Sequence, residues 1–144
     1  MLVGNDAFNY KKPPIGKIYF FVQDGKIEHK IWGDDVNDIL HWRTGNCFFS
    51  KDDAKFAFEK MLILRKLQQF ADANNPEVCL RKNEEKFILC YRRNLDAIEV
   101  IPIIFEAYGT AVFNSREIAQ QAIKEIGAET LKKFLFKGSE TDEI

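Results

Sequence analysis

Histidine is nearly missing from this chain, which has only His29 and His41, and its glycines are too scattered to build a phosphate-binding loop. Gly45, Gly109 and Gly127 each stand alone at a turn or helix end. The three cysteines, Cys47, Cys79 and Cys90, are odd in number and include no CxxC or comparable ligand spacing, which fits reduced thiols packed in a core better than a metal or redox centre. No apolar run approaches the ~20 residues needed to cross a membrane. The opening MLVGNDAFNYKKPPIG lacks the basic start, apolar centre and small-residue cleavage site of a secretory signal, so a cytoplasmic protein is expected. Charge of either sign is also not in excess: 21 basic against 22 acidic residues leave a net charge of −1, so attraction to nucleic acid would need a local patch. No residue is assigned a catalytic, metal-binding or cofactor-binding role on these grounds.

What is present is apolar bulk. At 144 residues, with 46% hydrophobic residues and 13 phenylalanines, the chain is able to close a core without a metal or disulfide. The organising stretch runs from Gly45 to Asn74. Ser50 precedes Lys-Asp-Asp, a pattern in which the hydroxyl caps a helix start while Asp53 reaches back. No glycine or proline follows until Pro76, so one long helix is expected, ending at Asn74-Asn75-Pro76. Its apolar surface is wide, with Ala54, Ala57, Phe58 and Met61 on one side and Ile63, Leu64, Leu67, Phe70 and Ala71 on an adjoining one. Such a helix is either covered within its own chain or keeps a second apolar face for a partner, a second copy of the chain included.

Around this helix the sequence reads as strands and turns. IYFFVQDGKIEHKIW places β-favouring runs at 17–23 and 26–32 around Asp24-Gly25, a dipeptide suited to a tight hairpin turn. Asp34 or Asp35 caps a short helical turn over 36–40, and 41–46 forms a loop. Strands are expected at 78–82, 86–93, 97–105 and 110–113, with Pro102 confined to an edge or bulge. Asn114 or Ser115 caps a second helix, Asn114 to Glu117 forming a capping box, with a narrow stripe of Ile118, Ala119, Ala122, Ile123 and Ile126. Gly127 stops it, and 129–136 forms a short last helix. The fold class is therefore α+β: an antiparallel sheet of about five or six strands packed on one long helix and a shorter C-terminal pair. Residues 1–16 are an extended lead-in, 17–137 one domain and 138–144 an acidic tail.

FFSKDDAKFA echoes FNSREIAQQA, so that Phe48, Ser50, Ala54 and Ala57 correspond to Phe113, Ser115, Ala119 and Ala122. Convergence on a common strand-to-helix junction and an internal duplication both account for it. These segments also carry a family resemblance. The hairpin followed by tryptophan, then W-x-x-G-N-C-F-x-S/T-x-x-x-A-x-x-A over Trp42 to Ala57, resembles small proteins of unknown function encoded by phages and prophages of low-GC Gram-positive bacteria. The closing stretch from Ser115 to Gly127, followed by Leu131 to Phe134, is similar to the C-terminal end of that family. The resemblance implies action in the cytoplasm of a bacterial host. It also implies a non-enzymatic accessory protein that binds and inhibits or redirects a host or defence-system protein, such as a defence nuclease, by occupying its surface.

Two sets of residues are candidates for contact. His41, Trp42, Arg43 and Asn46 lie in an irregular segment and include the tryptophan and arginine types that dominate binding hot spots. Their structural alternative is that Trp42 covers the end of the core while Asn46 satisfies loop amides. Arg81, Lys82, Tyr91, Arg92 and Arg93 fall on adjacent expected strands and form a basic, aromatic patch suited to nucleic acid. Their alternative is a set of polar strand ends neutralised by Glu84, Glu85 and Asp96. A nucleotide-binding or small-molecule enzyme is a third reading, and it requires a deep polar pocket.

Overall fold

A computed structural model describes residues 11–75, 85–107 and 109–137. The chain divides into two compact units, Met1–Phe58 and Glu59–Ile144.

In the first unit, β1 (Ile18–Gln23) and β2 (Lys26–Ile31) form the expected hairpin. Its turn places Asp24 at φ 53° and Gly25 at φ 75°, the left-handed geometry that follows the twist of the strands. This turn fixes the register, with Tyr19 opposite Lys30 and Ile18 opposite Ile31. Alternation then sends Tyr19 and Phe21 to the buried face, where they cluster with Trp32. Helix α1 (Val36–Arg43) packs Ile39 and Trp42 on this cluster, joined by Cys47. Its start is a reciprocal capping box: the Asp35 carboxylate accepts from the Asp38 amide at 2.9 Å, and the Asp38 carboxylate accepts from the Asp35 amide at 3.2 Å. The helix absorbs His41, Trp42 and Arg43, so the expected loop begins only at Thr44, whose hydroxyl donates to the Leu40 carbonyl at 2.8 Å.

Beyond α1 the chain returns to the outer edge of β1. Phe20 and Phe48 exchange both main-chain hydrogen bonds, each 2.8 Å. Two residues on, the Val22 amide donates to the side-chain oxygen of Asn46 at 2.7 Å, and the Asn46 side-chain nitrogen donates to the Val22 carbonyl at 2.8 Å. A carboxamide thus stands where a strand's main chain would, closing the edge. Replacing Asn46 with alanine strands two main-chain groups at once. An unfolding free energy lower by about 1–2 kcal/mol and faster hydrogen exchange at the Val22 amide are expected.

Helix α2 (Lys51–Asn74) is one unbroken helix, as expected, capped by the Ser50 hydroxyl accepting from the Asp53 amide at 3.1 Å. The division between the units falls inside it. In the first unit it buries Ala54; in the second it buries Ile63, Leu67 and Ala71, spaced four apart along one stripe. Met61, Leu62 and Leu64 are exposed, so the broad apolar circumference is covered along only part of its width.

In the second unit, β3 (Lys86–Arg92) and β4 (Ala97–Ile103) form another hairpin, joined by a 3-10 turn over Arg93–Leu95 and by Asp96 at φ 47°. Phe87 exchanges main-chain hydrogen bonds with Phe113, each 2.8 Å, so its polar groups face away from β4. Its partner Pro102 therefore sits where the ladder asks for no N–H, which reconciles proline with a strand. Helix α3 (Arg116–Ile126) is capped by the Ser115 hydroxyl, which accepts from the Ile118 amide at 3.2 Å. With Ser115 as the cap, the third helical position is Ile118, so the box between Asn114 and Glu117 does not form. Ala119 and Ala122 are fully buried, their small side chains letting the helix lie close to its neighbours. The expected last helix is α4 (Ala128–Leu131) running into a π-helical turn over Lys132–Lys137.

The α+β class holds, but the single sheet of five or six strands does not: the described residues form two separate two-stranded sheets. Among the described residues, each hairpin gains one bridge on its first strand's outer edge, at Phe48 or at Phe113. Two residues later a serine cap turns the chain into a helix, which ends the ladder before a third strand can form. The 110–113 strand is reduced to that bridge, and the expected 78–82 strand lies outside the described residues. The echo between Phe48–Ala57 and Phe113–Ala122 is nonetheless real in geometry. Both segments bridge a phenylalanine on the first strand of a hairpin, cap with serine and bury an alanine at zero exposure.

Candidate functional site

The polar centre of the first unit is assembled by the hairpin register and the cap of α1. Asp38 has no exposed surface, yet its carboxylate is fully supplied with donors. Oδ1 accepts from the Tyr19 hydroxyl and from Lys30 Nζ, both at 2.8 Å, while Oδ2 accepts from the Gly33 amide at 2.7 Å. Lys30 also bonds the Asp35 carboxylate. Burial alone would push the Asp38 carboxyl up, but the donors from Lys30, Gly33, Tyr19 and Asp35 outweigh it and hold the carboxyl well below the usual range. Tyr19 is shifted the other way, far above an ordinary phenol, by its own burial and then by the bond to Asp38.

His41 completes the group. Its Nδ1 lies 2.8 Å from the Tyr19 hydroxyl oxygen, and its ring stacks on Phe21 at 4.1 Å between centroids. The single hydroxyl proton of Tyr19 is committed to the ionised Asp38, so Nδ1–H of His41 is the donor to Tyr19 and Nε2 carries the lone pair. Burial, then the charge of Lys30, lowers the His41 pKa and keeps the ring neutral. Chemically, the phenol is a poor acid and the carboxylate a poor base. The arrangement locks α1 onto the hairpin.

The same segment also borders a solvent-open hollow, to which the half-buried Trp42 and Cys47 contribute one side. Trp42, Arg43, Thr44, Gly45, Cys47, Phe49 and Lys11 line a concavity of about 670 Å³. Lys12 stands 4.9 Å above the Trp42 ring. Arg43 also lines a neighbouring hollow of about 330 Å³ with Val36, Leu40, Ile39 and Asp34. Val36 is 84% and Leu40 55% exposed, so one apolar step adjoins one aromatic, cationic hollow with Arg43 between them.

The four expected contact residues are therefore divided. Trp42 and Arg43 share the concavity, whereas His41 points into the polar centre and Asn46 is consumed by Val22. Of the basic patch, Arg81 and Lys82 lie outside the described residues. Arg92 is paired with Glu99 at 2.8 Å, which also holds its guanidinium above the ordinary range. The Tyr91 hydroxyl donates to Asp96 at 2.5 Å, and its ring stacks on Phe136. Arg93 is exposed in the turn. Tyr19, Lys30 and Asp38 were not singled out from sequence, although the Asp24-Gly25 turn sets Tyr19 opposite Lys30 and Asp35-x-x-Asp38 has capping-box spacing. Phe49 and Lys11 carried no signal of their own.

Cys47 and Cys90 are free thiols whose pKa burial pushes up, and Cys79 lies outside the described residues. Among the described residues no group of three or more His, Cys, Asp or Glu is placed to hold a metal, and no helix is long and apolar enough to cross a membrane. The chain matches no protein-family model, no curated protein and no solved structure.

Proposed function

We propose that this protein is a non-enzymatic binding protein that occupies an acidic, partly apolar surface of another protein through the outer side of α1 and the loop after it. The observation that carries this reading is the sharing of Arg43 between the Trp42–Phe49 concavity and the apolar step of Val36 and Leu40. Exposed aliphatic residues beside an aromatic and an arginine suit a protein surface; a phosphate backbone would leave Val36 and Leu40 uncovered. Lys11, Lys12 and Arg43 favour carboxylates on the partner. The resemblance of the Trp42–Ala57 stretch to phage and prophage proteins supports a bacterial host protein as the target, with steric occupation as the mechanism.

Affinity capture from a Gram-positive lysate with the intact chain and with Arg43→Glu/Phe49→Ala tests it. Both substituted residues are exposed, so the melting temperature should hold while a discrete retained protein binds at least about tenfold more weakly, in line with loss of a central contact. The reading fails if no protein is retained, if the variant retains it equally, or if the retained material is nucleic acid released by salt.

A further inference from the structure

The two hairpins share an edge geometry but close it differently. In the first unit, Phe20 bonds Phe48 and the next outward-facing residue, Val22, is satisfied by the Asn46 carboxamide. In the second, Phe87 bonds Phe113, and strand alternation makes Leu89 the next outward-facing residue, with Ala111 in the place of Asn46. A methyl group is unable to donate or accept. Among the described residues no main-chain hydrogen bond joins Leu89 to Ala111; their segments part after the single bridge. A cavity of about 380 Å³ opens there, with Leu89 and Ala111 in its wall and Leu64, Ile88, Leu135 and Phe136 around them.

We infer that this cleft is a seat for an extended peptide of a partner protein, which adds to the edge of β3. The Leu89 N–H donates to a peptide carbonyl and the Leu89 carbonyl accepts from a peptide N–H, as Val22 does with the Asn46 carboxamide. An apolar side chain of the peptide enters between Leu64, Leu135 and Phe136. This mode takes its affinity from main-chain hydrogen bonds and its selectivity from the pocket beside them. The chain's own first unit identifies the occupant's chemistry, because an amide group is what closes the equivalent edge there. The inference goes beyond the proposed function and does not rest on Trp42 or Arg43.

Blocked heptapeptides in which leucine or valine alternates with threonine are the probe, titrated into the full-length isotope-labelled chain and followed by amide chemical shifts. Saturable binding is expected, with the largest shifts at Leu89 and Ala111. N-methylation of the central peptide amide should weaken binding about tenfold or more, the loss of one well-placed hydrogen bond. Ala111→Asn supplies the missing carboxamide from within and should weaken binding by a similar factor. Should that variant not fold, the methylated peptide on the unaltered chain still decides. The inference is overturned if no peptide binds saturably, if methylated and unmethylated peptides bind alike, if a folded Ala111→Asn variant keeps full affinity, or if the shifts gather at Trp42 and Phe49 instead.

Discussion

Replacing Asp38 with alanine is expected to lower the unfolding free energy by roughly 3 kcal/mol or more at neutral pH, among the largest losses available to a single substitution in the first unit. The carboxylate is fully buried and is the common acceptor for Tyr19, Lys30 and the Gly33 amide. Its removal leaves a buried phenol and a main-chain N–H without their acceptor and leaves Lys30 with Asp35 alone. Asp38→Asn keeps the shape and one acceptor oxygen but not the charge, so its loss should be smaller. Urea denaturation of the three proteins, read by tryptophan fluorescence, orders them; equal stability of all three would contradict the role given to the carboxylate.

The pH profile of the same measurement follows from the directions of the shifts. Asp38 is depressed in the folded state, so its contribution is present above the ordinary carboxyl value of 3.8 and is lost as pH falls below it. His41 is depressed too, and because the folded state prefers the neutral ring, the unfolded chain takes up the proton first. Stability therefore falls as pH drops below the ordinary histidine value of 6.5. Tyr19 is raised, so the unfolded chain loses its phenolic proton first and stability falls above the ordinary value of 10.0. A plateau between the histidine value and the ordinary thiol value of 9.0, above which the raised Cys47 and Cys90 thiols begin to lower stability, is expected, with a two-step acid limb below it. Asp38→Ala should shrink the lower step, to which Asp35, lowered by Lys30, and Asp96, lowered by Tyr91, also contribute, and His41→Gln should remove the upper one.

Phe113→Ala should cost about 3–5 kcal/mol in the second unit, the range for emptying an aromatic site in a packed core. Its side chain has zero exposure and belongs to the cluster that holds Leu67, Leu89, Ala119, Ala122 and Leu131. Phe48 holds the equivalent place in the first unit but is only half-buried, so Phe48→Ala should cost distinctly less. Thermal unfolding of both variants separates them; equal losses would mean that the two junctions are equally packed.

Several features were legible because they are local. The Asp24-Gly25 turn, the serine caps at Ser50 and Ser115, the uninterrupted run from Lys51 to Asn74 and the stop at Gly127 each depend on chemistry within a few residues. The placement of the candidate contact residues was legible only in part. Trp42 and Arg43 are types suited to contact, but whether a residue on a short helix looks outward depends on its phase against the hairpin. That phase sends His41 to Tyr19 and leaves Arg43 on the surface.

Composition, spacing and turn chemistry by themselves determined the α+β class, the first hairpin, the capped helices and the likeness of two strand-to-helix junctions. Tertiary structure alone decided that the hairpins form separate sheets among the described residues, that Asp38 is the buried hub of the first unit, and that Asn46 closes one edge while no described residue closes its counterpart beside Ala111. The physical reason is range. Caps and turns are satisfied by neighbours in sequence, whereas the burial of a carboxylate and the closure of a strand edge depend on residues that only folding brings within hydrogen-bond distance.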